Sequence, residues 1–305
     1  MRWARAVLGF LSIFLVLGLL SLYWFDPFSS DQFLSTTPIN SNFSINSSSQ
    51  MQFYPNLRYP SPNISYNVDS SLCSLQRQDD MRRALSIIEN ATNLTFYQTN
   101  INPEISITCD NKIIVNKSYF IAGEGGPVNI TQDGPFNVIN EGQVLLLRDS
   151  NCPMPNIATH ELLHALGFAH SSNPGNIMYP ITSCDQTLGQ DIPNLINNLY
   201  SIPTYPDLQF ENVSAFVHGR YLDTNLTIVN YGLESSQLSE VIISADGNEI
   251  SKSAVDPIDI GSGINFDFKN IFVPNIDTNE IEYTIHSNFT ELNNSNKQVK
   301  LTINN

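Results

Sequence analysis

Apolar residues are distributed along this chain in three different ways, and each predicts a different kind of structure. From Ala6 to Phe25 the sequence carries no charge, and Arg2 and Arg5 precede that run. A helix of about 20 residues is about 30 Å long, the thickness of a bilayer's hydrocarbon core. Residues 27–70 show no periodic apolar positions and are rich in Ser, Asn, Pro and Thr, as in Ser41-Asn42-Phe43-Ser44-Ile45-Asn46. Such a segment cannot bury a core and reads as a flexible stalk. Its tyrosines and phenylalanines leave two other readings open: packing on the next domain, or filling that domain's cleft as a short propeptide. Beyond Pro203-Thr204-Tyr205-Pro206, which reads as a linker, apolar positions alternate with polar ones. Leu226-Thr227-Ile228-Val229, Val241-Ile242-Ile243-Ser244, Ile264-Asn265-Phe266-Asp267-Phe268 and Ile281-Glu282-Tyr283-Thr284-Ile285 have the period of strands, with turn signals such as Asp246-Gly247 between them. About seven short strands in some 100 residues predict an immunoglobulin-like β-sandwich over 205–305.

The N-terminal run has flanks that refine its reading. A secretory signal has a shorter apolar region of about 7–15 residues and a small-x-small cleavage site. Here Tyr23-Trp24-Phe25-Asp26-Pro27 follows, with no such site. An uncleaved signal anchor over 1–26 is therefore favoured over a cleaved peptide, with the arginines inside and Tyr23 and Trp24 at the interface. Either way the remainder is exported, so the protein is expected to be membrane-anchored with its globular part extracytoplasmic, or secreted. Four cysteines, an even number, and eleven Asn-x-Ser/Thr sequons, including Asn63, Asn90, Asn93 and Asn225, agree with an oxidising compartment. The formal charge of −15 argues against a nucleic-acid partner, because phosphates need Lys/Arg-rich faces.

The chemistry is concentrated in one stretch. Three of the five histidines lie in His160-Glu161-Leu162-Leu163-His164-Ala165-Leu166-Gly167-Phe168-Ala169-His170, and Met178-Tyr179-Pro180 follows closely. Residues four apart share one helix face, so His160 and His164 can hold one metal ion from the same side. Gly167 permits the left-handed backbone that ends a helix, which lets His170 swing back as a third ligand. Three nitrogen donors leave a fourth tetrahedral position for water, the open coordination of a catalytic zinc. Zinc lowers the pKa of such a water from about 16 toward about 7, and Glu161 could take its proton and pass it to a leaving amine. Met178 would form an apolar floor beneath the imidazoles. A chance surface pair of histidines would explain His160 and His164 but not the other four residues. His218 and His286 read as strand residues rather than ligands.

This stretch resembles the metzincin zinc peptidases, and among them the matrixins, because Ser171 follows the third histidine and Met178-Tyr179-Pro180 matches their methionine turn. The resemblance covers residues 73–202. Asp80–Ile88 is similar to the first matrixin helix, Leu94-Thr95-Phe96 and Glu104-Ile105-Ser106-Ile107 to the first two strands, Gly142–Leu147 to the strand before the active-site helix, and 188–200 to the closing helix. It implies an α+β catalytic domain over 71–204 with a mixed sheet, one catalytic Zn2+, a protein or peptide substrate, and substrate lying antiparallel along an edge strand. Residues 119–131 are the candidate for that edge, since proline in Gly123-Glu124-Gly125-Gly126-Pro127 is tolerated only there; a simple loop is an equal reading. The expected disulfides are Cys73–Cys109 and Cys152–Cys184. Departures from the family pattern are also clear. No histidine occurs in 1–159, so a second, structural zinc is not encoded, and no cysteine occurs in 1–72, so a thiolate latch on the metal is not either. A Ca2+ site has no support beyond Asp110, Glu124, Asp133, Glu141 and Asp149, which are ordinary loop acids. Pro180, Ile181 and Thr182 stand where the family shapes its first primed pocket with Pro-x-Tyr. The resulting expectation is an extracytoplasmic zinc endopeptidase. The alternative is a cell-surface adhesion or envelope protein whose sandwich is the working part and whose metal site is not catalytic.

Overall fold

A mixed β-sheet carries the first domain, and its strand order explains why the histidine helix ends up in the interior. The structure, a computed structural model, describes residues 51–303 apart from 113, 114, 117 and 118. The expected anchor over 1–26 and the stalk as far as residue 50 lie outside the described residues, among which no helix is long and apolar enough to cross a membrane. In chain order the elements are β1 (Leu57–Arg58), β2 (Asn63–Val68), α1 (Leu75–Ala91), β3 (Thr95–Gln98), β4 (Ile105–Cys109), β5 (Val115–Asn116), β6 (Tyr119–Phe120), β7 (Gly123–Asp133), β8 (Phe136–Leu146), α2 (Asn156–Ala165) and α3 (Asp191–Leu199). The sheet runs β1-β8-β4-β2-β3, all parallel, with β7 antiparallel along the other side of β8.

Local chemistry accounts for these elements. Ser74 caps α1 by accepting the Arg77 N–H, and Met81, Ala84, Leu85 and Ile88 recur at helical spacing on its buried face. α1 is the crossover that returns β3 parallel beside β2. In β4, Ile105, Ile107 and Cys109 alternate inward. Both expected disulfides form: Cys73–Cys109 ties the start of α1 to the end of β4, and Cys152–Cys184 spans the segment that contains α2.

The stalk expected over 27–70 is corrected for its last part. Residues 51–70 belong to the domain: Leu57 and Ile64 are core residues, and β2 lies between two parallel neighbours. Consequently the strands that the resemblance placed first, at 94–96 and 104–107, are β3 and β4. Composition misled because the polar residues of this segment are matched inside the sheet. Ser65 donates from its hydroxyl and its backbone N–H to Glu104, both at 2.7 Å. Arg58 is fully buried, donates to the carbonyls of Leu199 (2.6 Å) and Ile202 (3.1 Å), and lies 4.2 Å over the Tyr200 ring. A cation at the C-terminal carbonyls of α3 is favourable there through both charge and hydrogen bonding. Burial nevertheless lowers the Arg58 pKa to about 10.

The second domain has seven strands, β9 (Leu208–His218), β10 (Tyr221–Asn230), β11 (Ser239–Ala245), β12 (Asn248–Val255), β13 (Gly263–Phe272), β14 (Glu280–Ser287) and β15 (Gln298–Thr302). They form a three-stranded sheet, β13-β10-β9, and a four-stranded sheet, β12-β11-β14-β15, which share one apolar core. The alternation read from sequence is the burial pattern: Val241, Ile243 and Ala245 of β11, and Ile281, Tyr283 and Ile285 of β14, all point inward. Asp246-Gly247, both at positive φ, closes the β11–β12 hairpin. The linker is held to both domains, because Thr204 donates to the Pro60 carbonyl at 2.7 Å and the Leu233 N–H donates to Tyr205 at 2.8 Å.

Candidate metal centre

α2 is buried on almost every side, with Leu162, Leu163 and Ala165 fully enclosed in the core. Its N-terminus is fixed by the Asn156 amide donating to Ser183 at 2.6 Å and by the Thr159 hydroxyl donating to Pro155 at 3.0 Å. The helix stops where Gly167 takes φ +95°, and the Gly167 and Phe168 N–H groups donate back to His164 and Leu163. A side chain at Gly167 would press into Leu57, so both the turn and the packing require glycine. The chain then runs between two supports. Residues 51–53 exchange backbone hydrogen bonds with Gly167 and Ala169, and the Ser171 N–H donates to Met178 at 2.8 Å. His170 is held in this way opposite the helix.

The three imidazoles converge through their Nε2 atoms. His164 Nε2 lies 3.0 Å from that of His160 and 3.1 Å from that of His170, and the His160–His170 separation is 3.3 Å. His160 Nδ1 donates to the Ile177 carbonyl at 2.6 Å, and His164 Nδ1 to the Phe168 carbonyl at 2.7 Å. Those carbonyls fix the tautomer, leaving the Nε2 lone pairs directed at a common point. Zinc–nitrogen bonds of about 2.0–2.1 Å in a tetrahedron put the nitrogens about 3.3–3.4 Å apart, so the donor set fits that ion. Burial lowers the pKa of all three rings, His164 to about 4, which keeps them neutral and available as ligands. Among the described residues no other three metal-capable side chains converge like this. Asp149 instead pairs with Arg77 at 2.7 Å, Asp110 pairs with Lys112 at 3.1 Å, and His218 and His286 sit on β9 and β14 beside Asp223 and Glu240.

Glu161 is buried beside this set. Burial first, and Glu124 second, raise its pKa to about 8. Met178 is buried on the turn that follows, where its N–H donates to the Asn176 side chain at 2.9 Å. Two contributions went unread in the sequence. The edge strand β7 presses directly on α2: a Cβ at Gly125 would overlap the Glu161 carbonyl oxygen, and one at Gly123 would lie 2.6 Å from Glu161 Cγ. Glycines two apart on a strand share one face, and that spacing was the available signal. Phe53 stacks on His164 with ring centroids 5.8 Å apart. Phe53 and Tyr54 line, with Gly126, Pro127 and Val128, a groove of about 580 Å³. No sequence signal marks that contact, because it depends on where residues 51–54 run.

Comparison with known proteins places this geometry. A family model described as matrixin matches residues 58–201. Among solved structures, this chain is similar to the CARDB domain of the PF1109 protein from Pyrococcus furiosus, at 15% identity, covering 32% of this chain and 92% of that one with a TM-score of 0.29. A putative cell surface protein domain from Methanosarcina acetivorans is similar at 20% identity, over 32% and 90%, with a TM-score of 0.29. High choriolytic enzyme 1, a hatching enzyme zinc-protease from Oryzias latipes, is similar at 21% identity over 42% of this chain and 54% of its own, with a TM-score of 0.25. TM-scores this low decide nothing about fold or activity, so the assignment rests on the family match and the three-histidine set.

Proposed function

We propose, from the premise that residues 58–201 belong to the matrixin family of zinc metalloendopeptidases, that His160, His164 and His170 are the metal ligands and Glu161 is the general base and acid of peptide hydrolysis. The observation that carries this reading is the convergence of three Nε2 atoms whose Nδ1 partners are committed to carbonyls, next to a buried carboxyl. Bound zinc supplies Lewis-acid polarisation of the scissile carbonyl and acidifies a water. Glu161 takes the proton of the attacking water and delivers it to the departing amine. Beside a divalent cation its carboxylate form is favoured, which offsets the burial that raises its pKa. Met178 supports the imidazoles from below. β7 offers unpaired backbone groups along its outer side, and an extended peptide antiparallel to it places residues N-terminal to the scissile bond beside Gly126–Gln132 and the Phe53–Tyr54 groove.

The protein acts outside the cytoplasm, anchored through residues 1–26. The two disulfides and the exposed sequon residues Asn63, Asn90 and Asn93 support that placement. The three-plus-four strand arrangement supports the immunoglobulin-like reading of the second domain.

The test is digestion of an unfolded protein by the purified full-length chain, with and without a chelator, beside the Glu161→Gln variant. A fragment beginning at residue 71 is unsuitable, since it lacks β1 and β2. Chelator-sensitive cleavage that disappears in the variant is expected. Equal activity of the two proteins would point instead to a surface protein with a non-catalytic metal site.

A further inference from the structure

The far end of the β7–β8 hairpin is seated in the second domain. Its turn at Gly134 has φ +74°, and a Cβ there would lie 2.8 Å from Tyr231 Cβ. Phe136 and Val138, the first inward residues of β8, are buried together with Leu233, and Ile202, Ile260 and Leu292 pack around them. Tyr231 and Leu233 are themselves fixed. Their N–H groups donate to Asp207 (2.9 Å) and Tyr205 (2.8 Å), and the Tyr231 hydroxyl hydrogen-bonds Glu211 on β9. Asn230, fully buried, accepts from the Asp207 and Gly232 N–H groups, both at 3.0 Å, and donates to the Ile258 carbonyl at 2.9 Å. The loop after β10 is thereby a rigid seat and not a tether.

β7 is held at its two ends by different domains. At the near end Gly123 and Gly125 rest on α2. At the far end the turn rests on Tyr231. Between the two lie the register irregularities of the strand, at Pro127, Asn129 and Ile130, where the ladder to β8 is weakest. A strand with a ladder on one side only and a broken register is positioned as much by its ends as by its pairing.

We propose that the second domain is a fixed brace of the substrate rim: Tyr231 and Leu233, acting through the 134–136 turn, set the position of the outer half of β7 and so favour substrates with an extended segment N-terminal to the scissile bond. Tyr231 is a positioning residue, since it acts through β7 and does not reach the metal centre. The proposal rests on β7 being the peptide-binding edge.

The experiment compares the full chain with Tyr231→Ala, Tyr231→Phe and Gly134→Ala, by amide hydrogen exchange and by cleavage of two peptides that differ only in length before the scissile bond. In Tyr231→Ala the amides of 128–133 are expected to exchange about tenfold faster, with zinc content unchanged. KM for the long peptide rises about tenfold with kcat little altered, and the short peptide is cleaved as before. Tyr231→Phe keeps the ring under the turn but gives up the Glu211 hydrogen bond, so its exchange and KM fall between those of the parent and Tyr231→Ala. Gly134→Ala displaces the turn from the other side and reproduces Tyr231→Ala, which guards against a merely unfolded variant. Unchanged exchange in 128–133 in both Ala variants, or equal loss on the long and short peptides, overturns the brace. If the parent chain cleaves nothing, the Glu161 reading fails, while the exchange data still decide the brace.

Discussion

The two domains, residues 51–204 and 205–303, bury their interiors in different ways. The sandwich encloses alternating apolar side chains, and polar groups it buries are paired: the Thr224 and Tyr283 hydroxyls at 2.7 Å, Glu291 with Lys297 at 2.9 Å, and Asn230 with backbone groups. The first domain encloses the imidazoles of His160 and His164, the carboxyls of Asp80 and Glu161, and the guanidinium groups of Arg58 and Arg77. Burying such groups is unfavourable unless each is paired, and the three converging Nε2 atoms have only one another. Stability is given up at the three histidines: the first domain holds a donor set that a cation would complete, whereas the buried charged pair of the sandwich, Glu291 and Lys297, is matched within the chain.

The contrast is broken most severely at Glu161. Glu161→Gln is expected to lower kcat by about 10³-fold while zinc content stays at one per chain, and His164→Ala to lose both metal and activity. Parallel assays of peptide cleavage and elemental zinc check this. Retained activity in the Gln variant would remove the carboxyl from the mechanism.

Opening the Cys152–Cys184 bridge comes next. The two residues are 32 apart in sequence. Loop closure alone assigns such a bridge about 3–4 kcal/mol. Replacing both with Ser should lower the unfolding midpoint of the first domain and leave the strand signal of the sandwich unmoved until higher denaturant.

A smaller effect is pH-dependent and appears only without metal. Glu161 has a pKa raised from 4.5 to about 8, chiefly by burial. Between those values the unfolded chain ionises this carboxyl and the folded chain does not, so stability falls as pH rises toward 8. His164 acts in the other direction: its pKa is lowered to about 4, so stability falls as pH drops below about 6.5. Urea midpoints of chelated protein should therefore decline from pH 6.5 to 8, and Glu161→Gln should flatten that slope. Zinc uptake at pH 7 should release protons from the parent and fewer from the variant, as a pH-stat would record. A flat profile in the parent would show that the carboxyl is not held neutral.

The smallest effect belongs to the sandwich. Thr224→Val leaves the Tyr283 hydroxyl short of its buried partner and should cost about 1 kcal/mol of that domain's stability. Peptide cleavage should not change. A matching loss of activity would mean that the two domains communicate through more than the Tyr231 seat.

Much of this arrangement was legible in the residues. Period-two runs marked β10, β11, β13 and β14 of the sandwich because one face of each strand packs inward. The spacing of His160, Glu161, His164, Gly167 and His170 announced a metal centre because helix geometry converts four residues into one face and glycine into a turn. Other features left no local trace. Residues 51–70 looked like a stalk, since a six-residue strand with Asn, Ser and Tyr in it shows its apolar side only when its neighbours are known. Gly123-Glu124-Gly125-Gly126-Pro127 was as good a loop as a strand until α2 was seen to approach it.

What the sequence determined by itself is therefore the set of three clustered histidines, the glutamate beside the first of them, and the change from a matrixin-like region to a β-rich one, because these follow from short-range spacing and periodicity. The tertiary structure alone decided that the supposed stalk closes the sheet, that β7 rests on Glu161, and that Tyr231 holds the far end of that strand. Those contacts join residues tens of positions apart, and their energies depend on shape and distance in space, which no local pattern of residue types encodes.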